Sequence, residues 1–206
     1  FPNLTPMVRL LLYINVGVYA LQVLTRDSLV MTFALWPWQA DVRYGAPAFH
    51  VWQLLTYGFL HGGGMHLFFN MFALYMFGPE LERLFGNRRF LSYYLACVVG
   101  AAVVQLVVLE MFYRAAVPTV GASGGVFGLL LAFGMAFPQR RLMLLFPPIP
   151  MPAWLFVTLF GLAELYMGFS GQERGVGHFA HLGGMIGGFA MILYWRSQGT
   201  WRSGTT

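Results

Sequence analysis

The amino-acid sequence predicts an all-α polytopic membrane protein: a bundle of six membrane-spanning helices with a long interfacial first loop. Three observations predict it. Of the 206 residues, 58% are hydrophobic and only 9% charged, whereas a soluble domain carries about 25% charged residues. The charges fall at intervals, leaving uncharged apolar runs at 10–25, 48–78, 90–109, 115–139, 142–163 and 175–195, and most of these approach the roughly 20 residues that cross a hydrocarbon core. Six spans put both termini on one side, and the arginines divide unequally. Arg9, Arg83, Arg88, Arg89, Arg140, Arg141, Arg196 and Arg202 share that side, and Arg26, Arg43, Arg114 and Arg174 the other, so the termini are expected in the cytoplasm.

The elements follow in order. A first helix over 7–24 leads to a connection over 25–51 with Trp36, Trp38, Tyr44 and Phe49, and Trp52 just beyond it; tryptophan and tyrosine favour the headgroup region, so this loop is expected in the outer interface. The second helix, 52–77, is expected to end at Gly78-Pro79, with Glu80 to Arg89 as a charged cytoplasmic turn. A third helix covers 90–112. The cluster from Pro147 to Pro152 keeps the next cytoplasmic connection out of helix, and helices five and six occupy 153–169 and 177–196. No internal repeat interrupts this order, so residues 1–206 read as one membrane domain. Because the chain starts at Phe1 rather than at methionine, a preceding cytoplasmic segment has a place in this scheme.

The fourth helix is short. From Ser123 to Pro138 there are about 22 Å of helix at 1.5 Å per residue, against a hydrocarbon core of about 30 Å. With Pro138 at the cytoplasmic end, Ser123 sits below the outer surface, and the segment from Arg114 to Gly121 descends as irregular backbone. Such backbone needs protein or a wet cavity around it, so a water-filled pocket is expected at the serine.

Several function classes are disfavoured. The formal net charge of +5 and pI near 9.7 come from arginines scattered through loops, not from a basic stripe, so no nucleic-acid partner is expected. Cys97 is the only cysteine, which rules out an intrachain disulfide. Gly121-Ala122-Ser123-Gly124-Gly125 satisfies G-x-S-x-G, but the soluble hydrolase fold behind that motif needs a strand before the serine, and no strand and helix alternation exists. His61 and His66 splay to different faces, no H-E-x-x-H occurs, and neither metal nor cofactor is expected. Glu164 is the only acid well inside a span, and no Gly-x-Gly-Asp signature for an aspartyl mechanism accompanies it. A transporter lacks the inverted repeats it would need.

The histidines decide between a packing serine and a nucleophile. His66 and His181 lie inside spans, where ionisable groups are rare and usually functional. His66 and Asn70 share one face of the second helix. Gly177, His181, Gly184 and Gly188 form one smooth face carrying a single imidazole, and Gly124 with Gly128 offers a matching face below Ser123, so the two backbones are expected to approach until the imidazole reaches Oγ.

Three motifs, in order and in the right spans, make the chain resemble the rhomboid family of intramembrane serine proteases: His61-Gly62-Gly63-Gly64-Met65-His66-Leu67-Phe68-Phe69-Asn70, Gly121-Ala122-Ser123-Gly124 and Ala180-His181-Leu182-Gly183-Gly184. The resemblance implies Ser123 as nucleophile and His181 as general base, a dyad without a third carboxylate. His66, Asn70 and the backbone N–H of Ser123 correspond to the oxyanion hole, and Glu82 to an acid closing helix two against its neighbours. It also implies transmembrane substrates, cleaved near the outer face and entering between helices two and five, where Phe68, Phe72, Trp154 and Phe156 supply bulk; Phe72, Trp154 and Phe127 are the expected gate or subsite residues. A bacterial inner membrane is the expected location. Two positions depart from the family pattern. Trp52-Gln53 stands where many members have Trp-Arg, and Phe127, a tyrosine in some relatives, keeps a ring to pack beside His181 but no hydroxyl. The competing reading is a catalytically silent relative that binds membrane helices without cutting them, as derlins do.

Overall fold

A computed structural model describes residues 4–25, 28–38, 45–113, 117–144, 148–170, 177–201 and 204. The expectations placed on Arg26, Arg43, Tyr44, Arg114, Arg174, Arg202 and Pro147 lie outside the described residues. Six helices of 14 residues or more occur among those described: α1 (Pro6–Leu24), α4 (Gly64–Phe85), α5 (Asn87–Val108), α6 (Ser123–Ala136), α7 (Ala153–Ser170) and α8 (His178–Ser197). Two short helices, α2 (Ser28–Phe33) and α3 (Gln53–Thr56), lie in the first connection. Among the described residues, three helices are long and apolar enough to cross a membrane: α1, α5 extended to Phe112 through a wider turn over Leu109–Tyr113, and α7. The chain is an integral membrane protein of mostly helical structure.

Most helix limits agree with the sequence to within a few residues, and the second helix is the exception. It begins at Gly64 instead of 52, because the chain first makes α3 and one 3₁₀ turn over Tyr57–Phe59, then turns extended at Leu60 (φ −86°, ψ 155°). It also runs through Pro79 to Phe85. Proline removes one backbone donor, but Leu81 and Glu82 are buried and hold the last turn in the core. Gly78 packs so closely that an added Cβ would lie 2.6 Å from Val8 Cγ2. The helix stops at Gly86, whose φ of +78° suits glycine, and α5 starts one residue later.

The described part of the proline-rich connection is not helical, as expected, but it adds two paired antiparallel strands. Strand β1 (Arg141–Met143) pairs with β2 (Pro150–Pro152), Leu142 facing Met151.

The core centres on α5, α6 and α8. Added Cβ atoms show why small residues recur there. One on Gly183 would lie 2.8 Å from the Gly100 carbonyl oxygen, and one on Gly187 2.9 Å from that of Ala96. One on Gly184 would collide with the carbonyl oxygen of Gly124. Tyrosine hydroxyls complete the seam: Tyr93 donates to the Gly128 carbonyl and Tyr57 to the Val98 carbonyl, each at 2.8 Å. Helix α8 therefore presents Gly184 to α6, as expected, but Gly183, Gly187 and Gly188 face α5. Helix α7 packs against α6 and α8 at the edge.

Glu82 joins α4 to α1. Its carboxylate accepts the Thr5 hydroxyl and the N–H groups of Met7 and Val8, both at 2.9 Å, satisfying donors that a helix start leaves free.

Candidate active site

Ser123 is the first residue of α6, and the backbone enters it through Gly121, whose φ is +131°. Few side chains tolerate that conformation, and space forbids one too: a Cβ there would lie 2.7 Å from His66 Cε1 and 3.6 Å from Ser123 Oγ. The irregular segment before it is anchored. Gly121 N–H donates to the Tyr57 carbonyl at 3.0 Å, and Thr119 exchanges backbone hydrogen bonds with Leu35 of the first loop at 2.9 and 3.0 Å. The serine thus stands at the positive end of a short apolar helix, where first-turn N–H groups favour negative charge.

His181 is one turn into α8, with Nε2 2.8 Å from Ser123 Oγ. The Gly184–Gly124 crossing one turn below sets that distance. Phe127, one turn after the serine, stacks on the imidazole with centroids 4.3 Å apart and planes within 6°. The ring fixes the imidazole plane without a hydroxyl.

On the other side of the serine stands α4. His66 lies against Gly121, its Nδ1 accepting the Gly62 N–H at 3.3 Å, and the Asn70 amide donates to the His66 carbonyl at 2.9 Å. This i to i−4 bond leaves Asn70 a second amide hydrogen, and Asn70 lies one turn after His66 on α4. The segment leading to α4 is held by a reciprocal pair between Gln22 and His61: Gln22 donates to the His61 carbonyl at 2.8 Å, and the His61 N–H donates back at 3.1 Å.

Gln53 anchors the first loop. Fully buried, it accepts the Trp36 N–H at 3.2 Å and donates to the carbonyls of Thr32 at 3.1 Å and Ala48 at 3.4 Å.

The expected gate residues Phe72, Phe127 and Trp154 stand on α4, α6 and α7. Phe72 stacks on Phe68 of its own helix and Phe156 on Phe160 of its own. Trp154 is 49% and Phe72 37% exposed.

A third group beside the imidazole differs from the expected isolated dyad. Glu164 of α7 places Oε2 2.9 Å from His181 Nδ1 and 2.7 Å from His178 Nδ1. The approach to His178 is an aligned hydrogen bond; the approach to His181 is off the N–H axis, so it is an electrostatic contact rather than a well-formed bond. The donor atoms of Glu164, His178 and His181 lie within 4.8 Å of one another, a set that could hold a metal ion. Sequence reasoning passed over His178 and gave Glu164 no role. The available signal was one acid inside a span together with two histidines three residues apart on the next helix.

A rhomboid domain model matches residues 48–198. The chain belongs to the rhomboid family. Among its relatives, rhomboid protease GluP of Bacillus subtilis is 33% identical over 67% of this chain and 25% of its own length. The putative rhomboid protease YdcA of the same organism is 33% identical over 68% of this chain and 65% of its own. Rhomboid protein 1, mitochondrial, of Saccharomyces cerevisiae is 34% identical over 69% and 40%. The chain thus spans a quarter to two thirds of the length of these rhomboids.

Proposed function

We propose that this rhomboid is an intramembrane serine endopeptidase that cuts transmembrane helices near the outer membrane face. In this reading all six long helices span the bilayer, α4 and α8 despite the polar groups that lower their hydropathy, and both termini face the cytoplasm. The observation that carries it is the 2.8 Å contact between Ser123 Oγ and His181 Nε2 at the start of a short helix.

The chemistry follows from the positions. As Oγ attacks the scissile carbonyl carbon, its proton passes to Nε2, and the carbonyl π electrons move to oxygen. That oxyanion is met by the Ser123 N–H and by donors from His66 and Asn70. The imidazolium then protonates the leaving nitrogen as the C–N bond breaks, and water entering from the outer face hydrolyses the acyl-enzyme. The substrate helix arrives sideways from lipid, past the exposed rings of α4 and α7.

The test is cleavage of a model transmembrane substrate in reconstituted vesicles by the wild type, Ser123→Ala, His181→Ala and the double variant. Both single variants fall to background and the double falls no further, because the two residues share one proton transfer. Residual turnover in the singles that the double variant abolishes would remove the dyad. A folded wild type that captures substrate without cutting it would instead support a silent helix-binding relative.

A further inference from the structure

We propose that Glu164 is a positioning residue of the active site, holding His181 with Nδ1 protonated and Nε2 turned to Ser123, while His178 clamps the carboxylate from its other side. The inference rests on the protease reading above and adds a group to it.

Four observations support it. The first is burial: Glu164 has a side chain 9% exposed, on a helix apolar enough to span the bilayer. A lone carboxylate there is costly and is retained where it has a partner or a task. The second is its neighbours. Its polar contacts among the described residues are the two imidazoles, and its other surroundings are apolar, including a cavity of about 250 Å³ lined by Leu144, Met151, Phe160 and Met167. The third is the chain of contacts, His178 Nδ1 to Oε2 at 2.7 Å, Oε2 to His181 Nδ1 at 2.9 Å, and His181 Nε2 to Oγ at 2.8 Å. One carboxylate oxygen therefore lies at the far nitrogen of the imidazole whose near nitrogen meets the nucleophile. The fourth is spacing. Two ligands on a tetrahedral zinc at about 2.0–2.1 Å stand roughly 3.3 Å apart, so separations of 2.7 and 2.9 Å are shorter than a shared metal would leave between these atoms.

An imidazole has two neutral tautomers, and only the one protonated at Nδ1 can take the serine proton at Nε2. A carboxylate at Nδ1 selects that tautomer and then stabilises the imidazolium, staying ionised throughout; the Nδ1 proton does not leave the ring. His178 gives the carboxylate its aligned hydrogen bond, limiting its rotation. Phe127 holds the ring plane and Glu164 its tautomer.

Glu164→Gln keeps the shape and removes the charge. Cleavage of a transmembrane substrate should lose about 10- to 10³-fold in kcat, with KM within about twofold, and fluorophosphonate labelling of Ser123 should slow in parallel. Glu164→Asp should recover part of the rate. A purely structural carboxylate would lower the amount of folded protein and leave kcat per folded molecule unchanged. A second measurement needs no variant: ¹⁵N spectra of the imidazoles in the wild type should show His181 protonated at Nδ1. Full kcat in folded Glu164→Gln, or a His181 ring protonated at Nε2 alone, overturns the proposal. Cleavage abolished by a chelator and restored by zinc overturns it too, since the cluster would then be a metal site. A wild type that neither cleaves nor labels defeats the protease reading by itself, and the imidazole spectrum still decides the role of Glu164.

Discussion

Replacing Gly184 by alanine adds one methyl group where α8 crosses α6. That methyl would collide with the Gly124 carbonyl oxygen and lie 2.7 Å from the carbonyl carbon. An ordinary contact begins at 3.4 Å, so the two backbones must separate by at least about 0.7 Å. Neither atom belongs to a side chain that can turn away. The crossing is one turn from His181 and one residue from Ser123, so much of the displacement passes to the 2.8 Å contact between Nε2 and Oγ. Lengthened to about 3.5 Å, that contact is hardly a hydrogen bond. Misplacement near 1 Å costs about 10²-fold in rate, and overpacking costs about 1–3 kcal/mol of stability. The assay is turnover of a transmembrane substrate at saturation, normalised to folded protein, with the melting temperature in detergent measured on the same samples. Gly184→Ala with wild-type turnover and wild-type melting would refute the claim that this crossing sets the dyad distance.

Three further outcomes are expected. Asn70→Ala or His66→Ala should lower kcat by about 10²–10³ if each supplies a preorganised donor to the oxyanion, with KM changing less; full turnover in both variants would place the donors elsewhere. Glu82→Gln should lower the melting temperature, by a loss of about 2–3 kcal/mol as three donors at the start of α1 lose a charged acceptor, and leave turnover per folded molecule unchanged; equal losses in both would tie Glu82 to the chemistry. Trp154→Ala and Phe72→Ala should raise cleavage of a transmembrane substrate more than that of a small soluble probe, at about 1–2 kcal/mol of stability, since half-exposed rings bury less than core ones; slower cleavage of the transmembrane substrate alone would mean that the rings bind it.

What could be read in advance depended on how local the signal was. Ser123, His181 and the short α6 stood out because a polar group in an apolar run, or a helix too short for the bilayer, shows in one stretch of chain. The glycine faces of α6 and α8 were visible as a period, but the period could not tell which neighbour each glycine would meet, and Gly183, Gly187 and Gly188 turned to α5. The start of α4 was misread because residues 52–63 are as apolar as a helix; it is the backbone through Leu60 and the three glycines that delays it. Pro79 seemed a stop, and burial of Leu81 and Glu82 overrode it. Glu164 was least legible. Its meaning comes from the packing of α7 beside α8, and nothing in its own sequence neighbourhood names His181 as its partner.

The claim that Ser123 is an activated nucleophile is tested most directly by treating the folded wild-type protein and Ser123→Ala with a fluorophosphonate and locating the adduct by mass spectrometry of peptides. One adduct, on Ser123, is expected, lost in Ser123→Ala and strongly slowed in His181→Ala. Folded wild-type protein that stays unlabelled, or that labels equally well without Ser123, would mean that the contact between the serine and the histidine belongs to a protein that does not cut.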